Sequence, residues 1–171
     1  GDESCLEEVT FEEGSQLEKI AEKVFRDCKA LKTCDLSPCK KLKTILWEVF
    51  WGCNKLTTVN IDQCTSLENL EGSVFRETAL ESITLPASMK TIKGACFLGC
   101  NSLTHVACLS TTPPLLPEAD VFSQDTYATT LYVPEGSKSL YMQAEGWNLF
   151  AKIEEETATA IDAVFENKGK S

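Results

Sequence analysis

The sequence predicts an α/β repeat solenoid dominated by short β-strands, wound as a right-handed superhelix and closed by a small C-terminal strand–helix–strand cap. Three observations lead there. Phe25, Phe50, Phe75 and Phe97 recur at steps of 25, 25 and 22 residues. Each sits in a similar phrase, Val24-Phe25-Arg26-Asp27-Cys28, Val49-Phe50-Trp51-Gly52-Cys53, Val74-Phe75-Arg76-Glu77-Thr78 and Cys96-Phe97-Leu98-Gly99-Cys100. A leucine then opens the next unit, at Leu31, Leu56, Leu80 and Leu103, with Leu6 as the earliest copy. One such unit cannot bury its own apolar side; stacked units can, every Phe covering the Phe of the unit before.

From each leucine the apolar residues alternate, as Leu6/Val9/Phe11, Leu31/Cys34/Leu36, Leu56/Val59/Ile61, Leu80/Ile83/Leu85 and Leu103/Val106/Cys108. The last two of each set, two apart, point to one face of a short strand, which places about five strands between residues 4 and 108. A second apolar pair, Leu17/Ile20, Leu42/Ile45, Leu67/Leu70 and Met89/Ile92, is three apart, and its conformation stays open. The period lies within the roughly 20–29 residues of leucine-rich repeats. The third unit is one residue short between Phe75 and Leu80 and the fourth two short between Leu80 and Met89. Both changes fall where turns are expected, so the core register survives them.

After Cys108 the phrase changes. Thr112-Pro113-Pro114 breaks the repeat, because proline cannot donate to a ladder. Residues 109–153 are read as a capping segment. Thr130-Leu131-Tyr132-Val133-Pro134 is its strand, and 137–145 a short helix with Ser137 as cap and Leu140, Tyr141 and Ala144 inward. Trp147, Phe150 and Ile153 complete its apolar set. Residues 154–171, opening Glu-Glu-Glu-Thr-Ala-Thr-Ala, read as linker or tail, in which Ile161, Val164 and Phe165 are either docked or the stub of something further on.

Nine cysteines invite a disulfide scaffold, but the repeat places them better. Cys28, Cys53 and Cys100 share one position, filled by Thr78 in the third unit. Cys39 and Cys64 share another. These are expected to be small, buried, stacked side chains, aimed in parallel and so badly placed for disulfides. Cys96-x3-Cys100 and Cys34-x4-Cys39 do not resemble zinc pairs, and the sequence has one histidine, His105, so no metal and no cofactor is expected. A net charge of −10 opposes phosphate backbones, so no nucleic-acid partner is expected. No apolar run reaches the roughly 20 residues of a membrane span, so this segment is not expected to insert. No nucleophile elbow, P-loop or Gly-x-Gly-x-x-Gly occurs, and Cys108, three residues from His105, is expected inward, so no Cys/His pair is expected; the reading is not an enzyme.

Binding is expected on the outward strand positions, the usual recognition surface of a solenoid. Two columns stand out, Glu8/Thr33/Thr58/Ser82/His105 and Thr10/Asp35/Asn60/Thr84/Ala107, with Glu12/Ser37/Asp62 beyond. The candidate residues are Thr33, Asp35, Thr58, Asn60, Ser82, Thr84 and His105. The bland alternative is a solvated sheet of β-favouring threonines. Trp47 and Trp51, four apart and read as sharing one side of a helical turn, join them. They are either an exposed aromatic patch for sugar or protein or a filling for the gap left by Gly72 and Gly94.

The phrase at 49–61, Val-Phe-Trp-Gly-Cys-Asn-Lys-Leu-Thr-Thr-Val-Asn-Ile, together with Thr-Pro-Pro at 112–114, Leu-Tyr-Val-Pro at 131–134, Tyr141 and Trp147, resembles the BspA-like leucine-rich-repeat family of Bacteroidetes-type surface proteins over residues 4 to 153. Thr159-Ala160-Ile161-Asp162-Ala163-Val164 is similar to the linker that precedes sorting domains in exported proteins. The resemblance implies a secreted or surface-displayed adhesion module, extracellular or cell-surface, whose partner is a host or bacterial surface protein or a polysaccharide. The alternative is a structural spacer with no ligand of its own. Further repeats or a domain before Ser4 are expected. The Trp47/Trp51 pair and the wide use of cysteine depart from the family pattern.

Overall fold

A computed structural model of the chain describes residues 6–168, without the side chains of 164 and 166–168; the solenoid start expected at Ser4 therefore lies outside the described residues. In chain order the elements are β1 (Glu8–Val9), β2 (Lys19–Ile20), β3 (Thr33–Asp35), β4 (Thr44–Ile45), β5 (Thr58–Asn60), β6 (Asn69–Leu70), β7 (Ser82–Leu85), β8 (Thr91–Ile92) and β9 (His105–Cys108). They continue as α1 (Gln124–Tyr127), β10 (Thr130–Pro134), α2 (Lys138–Gln143), a 3-10 turn (Trp147–Leu149), β11 (Lys152–Glu156) and α3 (Ala158–Lys168).

Each coil places one strand on a front face and one on a back face, and every pairing is parallel. The second apolar pairs are the back strands: β2, β4, β6 and β8 form one continuous sheet, with Ile20, Ile45, Leu70 and Ile92 in register and buried. The front face carries β1–β3–β5 and then β7–β9–β10–β11. Equivalent side chains align in columns, Glu8 beside Thr33, Thr33 beside Thr58, Asp35 beside Asn60, and Ser82 beside His105.

The phenylalanine segments form a third ladder. The amides of Lys23, Phe25 and Asp27 donate to the carbonyls of Trp47, Val49 and Trp51, and those of Glu48, Phe50 and Gly52 to Gly72, Val74 and Arg76. Left-handed residues four apart bracket each Phe, Lys23 and Asp27, Glu48 and Gly52, Ser73 and Glu77, Ala95 and Gly99. This backbone is not helical. Trp47 and Trp51 therefore belong to a rung built of turns, in which the Trp51 amide donates to the Glu48 carbonyl, and not to the helical turn expected from their spacing.

Inside, the rings of Phe25, Phe50, Phe75, Phe97 and Phe122 form a continuous stack with centroid spacings of 5.4, 5.4, 5.2 and 5.1 Å. Phe122 follows Phe97 by another 25 residues, so the winding runs past Cys108. Leu115 bridges Thr91 on the back ladder and Phe122 bridges Phe97 on the third. The two prolines are tolerated because the ladder takes its hydrogen bond from Leu115, whose amide donates to the Lys90 carbonyl.

Phe122 is then sealed by Tyr127, Trp147 and Phe150, all with ring centroids within 6 Å of it. The polar ends of the large aromatics are satisfied: Tyr141 Oη–H donates to the Ser110 carbonyl at 2.7 Å and Trp147 Nε1–H to the Pro114 carbonyl at 2.8 Å. In α2, Tyr141 points inward as expected, but Leu140 is 49% exposed. Ser137 precedes the helix, yet its hydroxyl donates back to the Pro134 carbonyl and caps no amide.

Residues 154–168 depart from the linker reading. Lys152–Glu156 pairs with β10 along its whole length, and α3 follows at once. Its start is set by Thr157, whose Oγ1 accepts from the Ala160 amide. Ile161 and Phe165, four apart, fall on one helix face. Ile161 is fully buried, and the Phe165 ring meets His105 at 5.7 Å and Tyr132 at 6.1 Å. Val164, grouped with them in the sequence, has a side chain outside the described residues. α3 thus lies against the front face.

Candidate functional site

The front face has one break. Among the described residues no backbone hydrogen bond joins β5 to β7, although their Cα atoms approach within 8 Å. The break coincides with the residue missing between Phe75 and Leu80. In full-length coils the amides of Leu31, Leu56 and Leu103 donate back to the carbonyls of Cys28, Cys53 and Cys100 before the chain enters the front strand. The short coil makes no such turn at Leu80. Thr78 holds the position instead, its hydroxyl donating to the Phe75 carbonyl.

A cleft of about 320 Å³ opens along this seam. Thr58, Asn60 and Asp62 form one wall, Ser82 and Thr84 the other, and Asp162 and Phe165 of α3 overhang it. Its floor is Val59 and Ile83, both buried. Four of the nine residues singled out from the sequence therefore meet in one place: Thr58, Asn60, Ser82 and Thr84. Thr33 and Asp35 lie one strand away on β3. The Asp35 carboxylate is engaged in a local turn, accepting from the Ser37 amide at 3.0 Å, and these Ser37 contacts hold its pKa below the usual carboxylate range. His105 lies one strand past the cleft, against Phe165, with Nδ1 2.8 Å from the Thr104 hydroxyl.

Trp47 and Trp51 line a different side. The Trp51 ring has the Arg26 guanidinium of the coil before at 4.4 Å from its centroid and the Arg76 guanidinium of the coil after at 4.7 Å. Its Nε1–H donates to Glu77. With a neighbouring coil on either side, a guanidinium flanks the ring from each, and Trp51 forms a cation–π rung. Each such contact is worth about 0.5–1 kcal/mol at an exposed site. Trp51→Ala is therefore expected to cost about 1–2 kcal/mol, seen as a lower urea midpoint, with Arg26→Ala/Arg76→Ala giving most of the same loss. Trp47 leans over Gly72, where an added Cβ would come within 2.3 Å of the ring, and stays 42% exposed with Lys93 at 5.4 Å from its centroid. The gap at Gly94 is taken by Glu118, whose carboxylate accepts from the Gly94 amide at 2.8 Å.

Sequence reasoning left Phe165 open between docked and stub and did not single out Asp162; both reach the cleft from a segment read as linker or tail. The signal was present in the four-residue spacing of Ile161 and Phe165 behind Thr157. It also missed the donor role of the cysteines. Cys53, Cys64 and Cys100 donate their thiol protons to the carbonyls of Phe25, Leu36 and Phe75 of the preceding coil, at 2.9, 3.1 and 2.9 Å. The eight cysteines among the described residues are unpaired, and all but Cys28 are buried. No cluster of three metal-ligating side chains occurs among the described residues. Of the described helices, none is long and apolar enough to cross a membrane.

No protein of curated function matches the sequence. Among solved structures, a leucine-rich repeat protein from Bacteroides ovatus superposes with a TM-score of 0.58 at 19% identity, a likeness of fold. The match covers 81% of this chain and 34% of that one, so the chain spans about a third of that protein's length. Residues 2–104 match the BspA type leucine rich repeat region in six copies, a repeat family typical of protein-interaction modules. This stretch is more than half of the chain, and the chain belongs to the BspA-type leucine-rich-repeat family.

Proposed function

We propose that this chain is a recognition module that binds a protein or glycan through its front sheet face, in the manner of an adhesion domain, outside the cell or on its surface. The observation that carries the reading is the cleft between β5 and β7. It gathers Thr58, Asn60, Ser82 and Thr84 where the ladder is open and leaves them facing solvent. A merely structural spacer gains nothing from a broken ladder, which removes backbone hydrogen bonds that stiffen the stack. The extracellular setting rests on the family likeness. Unpaired thiols are compatible with it, since the thiolate is the oxidisable form and burial keeps these groups protonated.

The test is binding of the immobilised chain to matrix proteins and polysaccharides, beside Thr58→Glu/Thr84→Glu. Both substitutions lie at the rim of the cleft, add charge to a surface already acidic, and leave the core untouched. Binding by the native chain that drops at least about tenfold, roughly 1.4 kcal/mol, in a variant of unchanged melting temperature supports the reading. Binding by neither form favours the spacer, and equal binding by both overturns the cleft as the site.

A further inference from the structure

Resting on that reading, we propose that the seam cleft is a subsite for a neutral sugar ring, entering between β5 and β7 under the overhang of α3. Size restricts the occupant first. A cleft of about 320 Å³ stands at the lower end of the roughly 300–1,000 Å³ typical of small-molecule sites. A peptide strand inserted into the seam would need about 9.6 Å between the flanking strands, twice the usual spacing, and Cα atoms across it approach within 8 Å. A helix, about 10 Å across, is wider still. What fits is a flat, ring-sized group presented at the end of a chain.

The lining chemistry restricts it next. Thr58, Ser82 and Thr84 carry hydroxyls that make no side-chain hydrogen bond among the described residues, and each can donate one bond and accept two. Asp62, whose carboxylate also accepts from Gln63 Nε2 at 3.2 Å, keeps lone pairs for hydroxyl donors in charge-assisted bonds, and Asp162 lines the opposite side. Phe165 supplies an apolar surface for the C–H face of a ring. Carboxylates on both sides of the opening, on a chain of net charge −10, repel sulfated, phosphorylated or sialylated groups. Together these select a polyhydroxylated, uncharged ring. α3 gives the site its second role for a terminal segment: it closes one side of the cleft from within the same chain.

The ¹⁵N-labelled chain is titrated with neutral disaccharides of gluco, galacto and manno configuration (maltose, cellobiose, lactose and mannobiose) and with sialyllactose as the charged counterpart. The expected result is millimolar binding of at least one neutral sugar, with amide shifts confined to residues 58–62, 82–84 and 162–165, and none with sialyllactose. Asp62→Asn and Thr84→Val should each weaken it about tenfold, while Thr44→Val, on the back sheet, changes it less than twofold. Phe165→Ala is the second probe of the overhang and should weaken binding without altering the shifts of the solenoid core. Absence of cleft shifts with every neutral sugar overturns the proposal, as do equal shifts with sialyllactose. If a protein partner is lost in Thr58→Glu/Thr84→Glu while no sugar moves the cleft, the sugar subsite falls and the recognition module stands; if nothing binds, both fall.

Discussion

Replacing Phe75 by alanine is expected to destabilise the chain by about 3–5 kcal/mol, the usual cost of deleting a buried Phe. Phe75 is fully buried between Phe50 at 5.4 Å and Phe97 at 5.2 Å. Its removal opens a cavity in the middle of a stack that cannot readily collapse, because the back sheet and the phenylalanine ladder fix the coil spacing there even though the front ladder is open. In a solenoid the loss also falls on the coupling between neighbouring coils. Among the described residues the coils before Phe75 show no aromatic seal like that of Tyr127, Trp147 and Phe150 beyond Phe122, and Phe11, Leu17 and Phe25 there are only partly buried. The substitution should therefore lower the urea midpoint and split the transition, the N-terminal coils unfolding first. Phe25→Ala, at the half-exposed end of the same stack, serves as the comparison and should cost less than half as much. Equal losses at the two positions would mean that the stack is not the source of the cooperativity.

The stack is also the part of the fold most legible in the sequence, and the reason is physical. A parallel ladder repeats one environment per coil, so one constraint is written several times and a departure stands out against its neighbours. Thr33, Thr58, Asp35 and Asn60 take the columns that spacing alone assigns them. The residue missing before Leu80 is equally visible, but its consequence is not. A deletion in a turn reads as harmless until the coils are stacked, when it appears as the unpaired seam between β5 and β7. Phe122 illustrates a different loss. Its spacing from Phe97 keeps the period, but Pro113 and Pro114 suggested an end to the ladder, which continues through Leu115. Beyond that point the chain no longer repeats. α3 depends on a single tertiary contact surface, with Ile161 buried and Phe165 against Tyr132 and His105, and one pair of apolar residues in a polar segment is a weak signal. Trp51 lies between the two. Arg26 and Arg76 occupy its own column in the adjoining units, so the cation–π rung was on view, although the pair was weighed with Trp47 as an aromatic patch.

The cysteine columns carry the other large effect, a steep loss of stability in alkali. In the unfolded chain a thiol gives up its proton near pH 8.5. In the folded chain burial pushes Cys34, Cys53 and Cys64 up to about 12 and Cys108 up to about 11, and raises Cys39, Cys96 and Cys100 as well. Below about pH 8 both states hold these protons, and the contribution is complete and independent of pH. Above the unfolded value, and until the folded value is reached, the unfolded chain binds fewer protons than the native one, so stability falls with rising pH. Each thiol costs about 1.4 kcal/mol per pH unit in that window, and four titrating together remove about 5 kcal/mol per unit, comparable with the whole 5–15 kcal/mol stability of an ordinary domain. The buried Tyr127 and Tyr141 shift in the same direction and add to the fall. Under reducing conditions the far-ultraviolet circular dichroism should collapse cooperatively about two units above the thiol value of an unfolded chain. Cys34→Ala/Cys108→Ala removes two of the protons concerned and should move the midpoint upward. At neutral pH the same thiols should resist labelling in the native chain and react at once in urea. A chain that stays folded well beyond pH 11, or whose alkaline midpoint ignores the double substitution, would show that the cysteine columns do not hold their protons as tightly as their burial requires.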